Sequence, residues 1–283
     1  MAAEKATHDV TRLCRCLRVT RSGFYAWCDR PESPRARENR RLGVLVRASF
    51  DGSRQRYGSP RIHADLHEQG ERVSRKRVIR EMQAGQMRAR ARKRYKATTM
   101  SDHDQPVAAN LLDRQFAAEA PNQRWVGDTT EFVIGASGKL YLAAILDLFS
   151  RFVVGWALSA VNDRHLTIKA LAMALGRRGP RAGLLHHSDQ GSTYASQDDQ
   201  AILDARGIVC SMSRRGNCYD NAVMEAFFSS VKSEVGDRFD SHGEAKMELF
   251  DYIEVFDNQR RRHSTLGQIS PAAFERRATI HAA

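Results

Sequence analysis

The sequence has no apolar stretch long enough to cross a bilayer. Its longest apolar run, Leu140 to Phe149, is interrupted by Asp147, whereas a spanning helix needs about 20 apolar residues. The opening Met1-Ala-Ala-Glu-Lys lacks the apolar core of a signal peptide. The expectation is a cytoplasmic protein with no membrane partner. Cysteine is scarce as well. The five present are Cys14, Cys16, Cys28, Cys210 and Cys218, an odd count whose spacing matches no disulfide framework. Cys14 and Cys16 form C-x-C rather than C-x-x-C, and no histidine pair follows at finger spacing, which argues against a zinc knuckle. Reduced thiols are the plain reading. There is no internal repeat and no a/d heptad run, which excludes a coiled coil.

Basic residues are abundant at one end and outnumbered at the other. Residues 1–100 carry 25 Lys and Arg against 10 Asp and Glu, and the remainder carries 20 against 23. A basic half of this kind suits a polyanion, because each neutralised phosphate releases counterions without sequence preference. A solvated basic surface or a ribosome-associated protein would have the same charge. At 283 residues, 42% hydrophobic and 28% charged, the chain has the composition of a folded protein of two or three domains.

Residues 7–29 are predicted as two short helices around the turn Val19–Gly23, with Val10, Leu13, Cys14 and Leu17 at helical spacing. Residues 35–49 form another basic helix. Residues 57–88 are a better helix-turn-helix. Pro60 sits in a first turn, Ile62 and Leu66 face inward, and Gly70 ends the helix. Ser74 then caps a second helix with inner face Val78, Ile79 and Met82. That helix presents Arg75, Lys76, Arg77 and Arg80 near its start, as docking on DNA requires; a solvated face is the alternative. Residues 97–121 read as a linker, in which 108–118 has room for a short helix.

From Gln123 the texture changes. Strands are predicted over 124–134, 139–149 and 152–160, with hairpin-length connections. A helix over 163–177, a strand over 184–188, a helix over 196–206, a strand over 208–212 and helices over 221–235 and 243–262 follow. This order describes an α/β fold, a mixed five-stranded sheet flanked by helices and preceded by an all-α helix-turn-helix region.

Three carboxylates stand out. Asp128 lies within the first strand, where a charge is expensive unless paired or bound to metal. Asp189 ends the fourth strand, and Glu225 sits on the helix that starts at Asn221, with 35 residues between Asp189 and Glu225. Hard divalent cations such as Mg²⁺ prefer carboxylate oxygens. Two such ions about 4 Å apart activate an attacking oxygen and stabilise the departing one. Phosphoryl transfer needs mostly positioning and charge neutralisation. On this reading Asp128 bridges two ions while Asp189 and Glu225 hold one each. The reading requires the three acids to converge.

The motifs are more specific than the triad alone. Trp125-x-x-Asp128-x-Thr130, Leu146-Asp-Leu-Phe-Ser-Arg151, Gly155-Trp156 and His187-Ser-Asp189-x-Gly-x-x-Tyr194 occur in order. They precede Gly216-Asn-x-x-Asp220-Asn-Ala-x-x-Glu225-x-Phe-Phe-x-x-x-Lys232-x-Glu234 and Asn258-x-x-Arg261-x-His263-x-x-Leu266-Gly267-x-x-Ser270-Pro271. Upstream stand Ser22-Gly-Phe-Tyr25-Ala-Trp27 and Tyr57-Gly-x-Pro60. The ensemble resembles the second-frame product (OrfB) of the insertion-sequence-three family of bacterial transposases, within the retroviral-integrase superfamily. The resemblance covers nearly the whole chain. It implies an RNase H-like core and metal-dependent cleavage and strand transfer of element ends. The ions are Mg²⁺, two per active site, with Mn²⁺ as a substitute, and the ligands are Asp128, Asp189 and Glu225. Lys232 becomes a DNA contact. It lies two turns beyond Glu225 on one helix face, about 10 Å along the axis; a surface lysine is the alternative. Double-stranded DNA, as terminal repeats and target, is the implied partner, so the protein is expected on the nucleoid. Homo-oligomers are implied by the need to hold two ends. In this family the upstream-frame product is usually fused ahead of the chain.

The expected domains are 1–55, helical and DNA-binding; 56–96, helix-turn-helix; 97–121, linker; 122–235, RNase H-like integrase catalytic core; and 236–283, a helical basic tail. Asp147 is expected to be structural and Glu131 to face away from Asp128. Asp220 is expected to cap the Glu225 helix, and His186 and His187 to be hydrogen-bonded beside the site. Arg214 and Arg215 are candidates for DNA contact. A DNA-binding regulator of transposition without catalysis and a simple RNase H-type nuclease are the competing functions. An intact triad speaks against the first, and the long basic N-terminal half against the second.

Overall fold

The computed structural model describes residues 3, 4, 7–90, 108–191, 193, 194, 196–214 and 218–282. It forms two compact units, Met1–Ala89 and Arg90–Ala283.

The first unit is helical: α1 (Val10–Cys16), α2 (Arg21–Cys28), α3 (Pro34–Gly52), α4 (Ser59–Glu68) and α5 (Arg75–Ala84). Local chemistry sets the boundaries. Asp9, Thr20, Ser33 and Ser74 each accept a backbone N–H in the first turn of α1, α2, α3 and α5. Gly70, at φ +86°, turns the chain out of α4. Leu42, Val46 and Phe50 of α3 are spaced i, i+4, i+8 and are buried with Ile62 and Leu66 of α4 and Val78 and Met82 of α5. Ile79, expected inside, is only half-buried. Arg41 of α3 grips Glu71 in the α4–α5 turn with two bonds of 2.7 Å, and the His63 and His67 Nε2 atoms lie 2.9 and 3.3 Å from the Val73 carbonyl in the same turn.

The second unit is built on a sheet of β1 (Arg124–Ile134), β2 (Gly138–Asp147), β3 (Val153–Ser159), β4 (Leu185–Ser188), β5 (Val209–Met212) and β6 (Arg238–Phe239). The order is β3-β2-β1-β4-β5. The first three strands form the expected antiparallel meander, and β4 and β5 run parallel to β1. The five expected strands are joined by one more, the two-residue β6, which pairs with the far end of β1. Helix α6 (Arg164–Arg178) starts at the Asp163 cap and ends at left-handed Gly179. It covers one sheet face. Trp125, Ala143, Ile145 and Val154 from the strands are buried there with Leu166, Ala170, Leu171 and Ala174 from the helix. Gly155 allows this close approach, since a Cβ there would lie 2.2 Å from the Ala170 carbonyl oxygen. Helices α7 (Gln197–Ala205), α8 (Ala222–Glu234), α9 (His242–Phe250) and α10 (Pro271–Ala282) complete the unit.

Two expectations change. Of the expected linker, residues 97–107 lie outside the described residues. Residues 108–121 hold no helix and are packed into the second unit. Leu112 is buried, and the Leu111 and Leu112 N–H groups donate to the Ser211 hydroxyl on β5. The long helix expected over 243–262 stops earlier. After α9 the chain continues as a π-helix over Asp251–Asp257. Asn258 then bonds through its side-chain amide to the Val153 backbone, at 2.8 and 3.2 Å, which draws the chain toward β3. Asp147 is fully buried and accepts the Asn122 and Phe149 N–H groups, a structural role as expected. Among the described residues, no helix is long and apolar enough to cross a membrane.

Candidate active site

The register of β1 against β4 decides where two acids stand. Val126 pairs with His187 in this parallel ladder. Asp128 and Asp189 each follow that pair by two residues, Asp128 still within β1 and Asp189 just past the end of β4, near enough for the Asp189 charge to act on Asp128. Asp189 is the first residue past β4, where an open sheet leaves a crevice beyond its strand end. Each carboxylate is oriented by a backbone N–H. Thr129 N–H donates to Asp128 Oδ1 at 2.7 Å and Gly191 N–H to Asp189 Oδ1 at 3.0 Å. A Cβ on Gly191 would meet that oxygen at 2.9 Å, so glycine suits the position.

Glu225 comes from the opening turn of α8 and is exposed. Burial raises the Asp128 pKa well above the ordinary value of 3.8; the Asp189 charge adds to this and Glu225 contributes further. Glu225 is therefore within electrostatic reach of the strand acids. Among the described residues, however, no group of three or more His, Cys, Asp or Glu side chains forms a ready-made metal cage. The donor set fits a hard divalent cation: it is all carboxylate oxygen, and a cation would relieve the mutual repulsion that raises Asp128.

Lys232 is half-buried two turns along α8, with Nζ 5.7 Å from the Phe132 ring centre. Burial lowers its pKa, and Glu131, Asp237 and Asp128 oppose the shift. Glu131 is exposed and paired with Lys139 at 3.0 Å.

Asp220 does not cap α8. The cap position is Asn221, without a side-chain cap bond. Asp220 is instead a buried hub that accepts the Arg214 N–H and Nε, Arg114 Nε and Asn110 Nδ2 at 2.9–3.1 Å. These bonds, the Arg214 guanidinium first, hold its carboxyl far below the usual range. Arg214 also bonds to Asp113 at 3.0 Å, so its guanidinium has a structural job. Arg215 lies outside the described residues. On α5, Arg75, Lys76 and Arg80 are exposed, whereas Arg77 is half-buried and donates to Asn39 at 2.9 Å.

His187 Nδ1 lies 2.9 Å from the Ser211 hydroxyl. His186 is buried beneath Gly127, where a Cβ would sit 3.1 Å from its ring. Burial lowers both histidines to about 4, so both are neutral near pH 7. Sequence reasoning missed the partners of Glu234. The Arg261 Nε and Nη2 donate to its carboxylate at 2.8–3.1 Å and the Tyr252 hydroxyl at 3.1 Å. The signal was present, since Lys232-x-Glu234 and Asn258-x-x-Arg261 both stood in the motifs.

A mixed sheet with one acid on β1 and another just past β4, and Glu225 and Lys232 on α8, is the arrangement expected of an RNase H-like polynucleotidyl transferase core. Family models described as "Integrase core domain" match residues 118–218 and 206–271, and one described as "HTH-like domain" matches 36–95. The "Insertion element IS600 uncharacterized 31 kDa protein" of Shigella sonnei is 43% identical over 264 residues, covering 93% of this chain and 97% of that protein. "Transposase InsF for insertion sequence IS3A" of Escherichia coli strain K12 is 40% identical over 275 residues, covering 96% and 95%. The magnesium-bound, trimeric HTLV-2 integrase catalytic core domain aligns at a TM-score of 0.44 and 18% identity, over 56% of this chain and 99% of that one. The chain belongs to the IS3 family of transposases.

Proposed function

We propose that the protein cleaves the ends of an insertion element and joins them to target DNA, with Asp128, Asp189 and Glu225 as metal ligands and catalytic groups. The observation that supports this reading is that Asp128 and Asp189 each follow the Val126–His187 pair of β1 and β4 by two residues, near enough for the Asp189 charge to act on Asp128. Two Mg²⁺ ions, for which Mn²⁺ substitutes, would activate the attacking oxygen and neutralise charge on the phosphate. Asp128 would be a ligand to both ions, its carboxylate held in direction by the Thr129 N–H. Asp189 is aimed by Gly191 N–H. Glu225 closes the set from the helix, and Lys232 binds a flanking phosphate as a point charge. The exposed Arg75, Lys76 and Arg80 of α5 contact duplex DNA at the terminal repeats, and Arg77 supports α5 through Asn39. Arg214 braces Asp220 ahead of α8, and Arg215 is a candidate DNA contact by its charge. Holding two ends together calls for a homo-oligomer on the nucleoid, and an upstream-frame product fused ahead of this chain would add further end recognition.

The test is cleavage and joining of candidate element ends in Mg²⁺ or Mn²⁺, comparing wild type with Asp189→Asn. The variant should bind ends as the wild type does and lose chemistry by about 10³-fold or more. Full activity in the variant ends the assignment. Binding without chemistry in the wild type indicates a regulator, and hydrolysis without joining a nuclease.

A further inference from the structure

Two of the three acids ride on the sheet and the third on a helix, so something must fix that helix against the sheet. Glu225, Lys232 and Glu234 all lie on α8. At 3.6 residues per turn, Lys232 falls within about 20° of Glu225 around the axis, and Glu234 about 180° away. Glu225 and Lys232 therefore share the front of α8, and Glu234 is on its back. There Glu234 is buried, and Arg261 engages its carboxylate through both Nε and Nη2 while the Tyr252 hydroxyl donates to the same group. Arg261 is also buried, with Nη1 3.4 Å from Asp257 Oδ1. Three residues upstream, Asn258 is fully buried and clamps both the N–H and the carbonyl of Val153 on β3. A continuous path thus runs from the sheet through Asn258, Arg261 and Glu234 to the back of α8.

We propose that Arg261 is a positioning residue: through the Glu234 carboxylate it sets the rotation of α8 about its axis, and so the direction of Glu225 and Lys232. The inference rests on Glu225 being a metal ligand. A buried ion pair adds little stability over apolar residues of the same volume. What the two-point Arg–carboxylate fork adds is angular definition, which neither a lysine nor an apolar plug reproduces. Angular error matters here because displacing a reacting group by 1 Å can lower a rate about 100-fold.

The test uses the full chain with Arg261→Lys, Arg261→Met, the pair Glu234→Met with Arg261→Met, and Glu225→Gln as control. Arg261→Lys should melt near the wild-type temperature and bind element ends equally well. Its joining rate per bound complex should fall about 10- to 100-fold, and the Mn²⁺ concentration for half-maximal joining should rise by a similar factor. A merely structural role would lower melting temperature without moving the metal midpoint. Should Arg261→Met alone fail to fold, the apolar pair removes the unmatched Glu234 charge and should melt above Arg261→Met, though below the wild type because buried Asp257 loses Arg261, and should join slowly. Unchanged rate and metal midpoint in Arg261→Lys, or full joining by the apolar pair, overturns the proposal. The control separates the two levels. If Glu225→Gln is inactive while Arg261→Lys is unaffected, positioning alone is wrong. If Glu225→Gln joins normally, the ligand assignment is wrong and the proposal falls with it.

Discussion

Replacing Asp199 by asparagine should stabilise the second unit at neutral pH and above. Asp199 is in the first turn of α7, is 2% exposed, and has Oδ1 without a hydrogen-bond partner among the described residues. Burial raises its pKa from 3.8 to about 7. A raised carboxyl pKa means the folded state holds the proton more tightly than the unfolded chain does. The penalty is absent below pH 3.8, grows as pH rises toward 7 and is complete above it. A carboxyl moved from 3.8 to about 7 destabilises the ionised fold by about 4 kcal/mol, and the N-terminal helix field offsets about 1 kcal/mol of that. Removal of the charge should thus return about 3 kcal/mol, or about 6–12 °C in a unit of this size. Asparagine keeps the shape and removes the charge. Melting temperatures of wild type and Asp199→Asn, followed by differential scanning calorimetry from about pH 4.5 to 8.5, should diverge up to about pH 7 and then stay parallel. Equal melting at the alkaline end, or a gap that does not shrink toward the acid end, would refute the argument that burial alone raises this carboxyl.

The same sign governs Asp128, whose ionisation burial and Asp189 oppose. In chelator at about pH 8, Asp128→Asn should melt above the wild type, and Mg²⁺ should raise the wild-type melting temperature only; thermal shift measurements check both. Gly155→Ala places a methyl 2.2 Å from the Ala170 carbonyl oxygen. The forced retreat of α6 should lower stability by about 1–3 kcal/mol in urea unfolding, and a neutral result would show that β3 and α6 can part freely. Lys76→Ala, on the exposed side of α5, should weaken end binding uniformly across sequences and reduce the salt slope by about 0.9. A change in sequence preference in binding titrations would instead make Lys76 a base reader.

The strands of the sheet were legible because each has its own signal. Trp125 to Ile134 is rich in β-branched and aromatic residues, and Gly135–Gly138 marks the turn into β2. Asp128 and Asp189 were legible as charges out of keeping with their strands. Long-range pairing was hidden. Nothing near Asp220 predicts that Arg114 and Asn110 will reach it, and its place before α8 made capping the local expectation. Residues 108–121 read as polar linker, since the Ser211 hydroxyl that binds their backbone is some hundred residues away. The early end of the helix after α9 depends on Asn258 meeting Val153, a tertiary bond without a helix-breaking residue to announce it. Arg214 and Arg77 looked like free cations for the same reason: a sequence displays charge, and only folding reveals which charges are already matched.

The parallel pairing of β1 with β4 has an evolutionary consequence. Because the ladder pairs Val126 with His187 two residues before each acid, sliding one strand by a single residue would shift Asp128 and Asp189 relative to each other. Insertions and deletions inside those strands are therefore intolerable. The stretch between Asp189 and Glu225 makes an excursion through α7 and β5 and returns to α8. Ser211, Ser213, Asp220 and Asn221 on its way back are buried, so a change in its length would have to be absorbed at the exposed end of α7, Asp204–Gly207, if α8 is to return to the same berth.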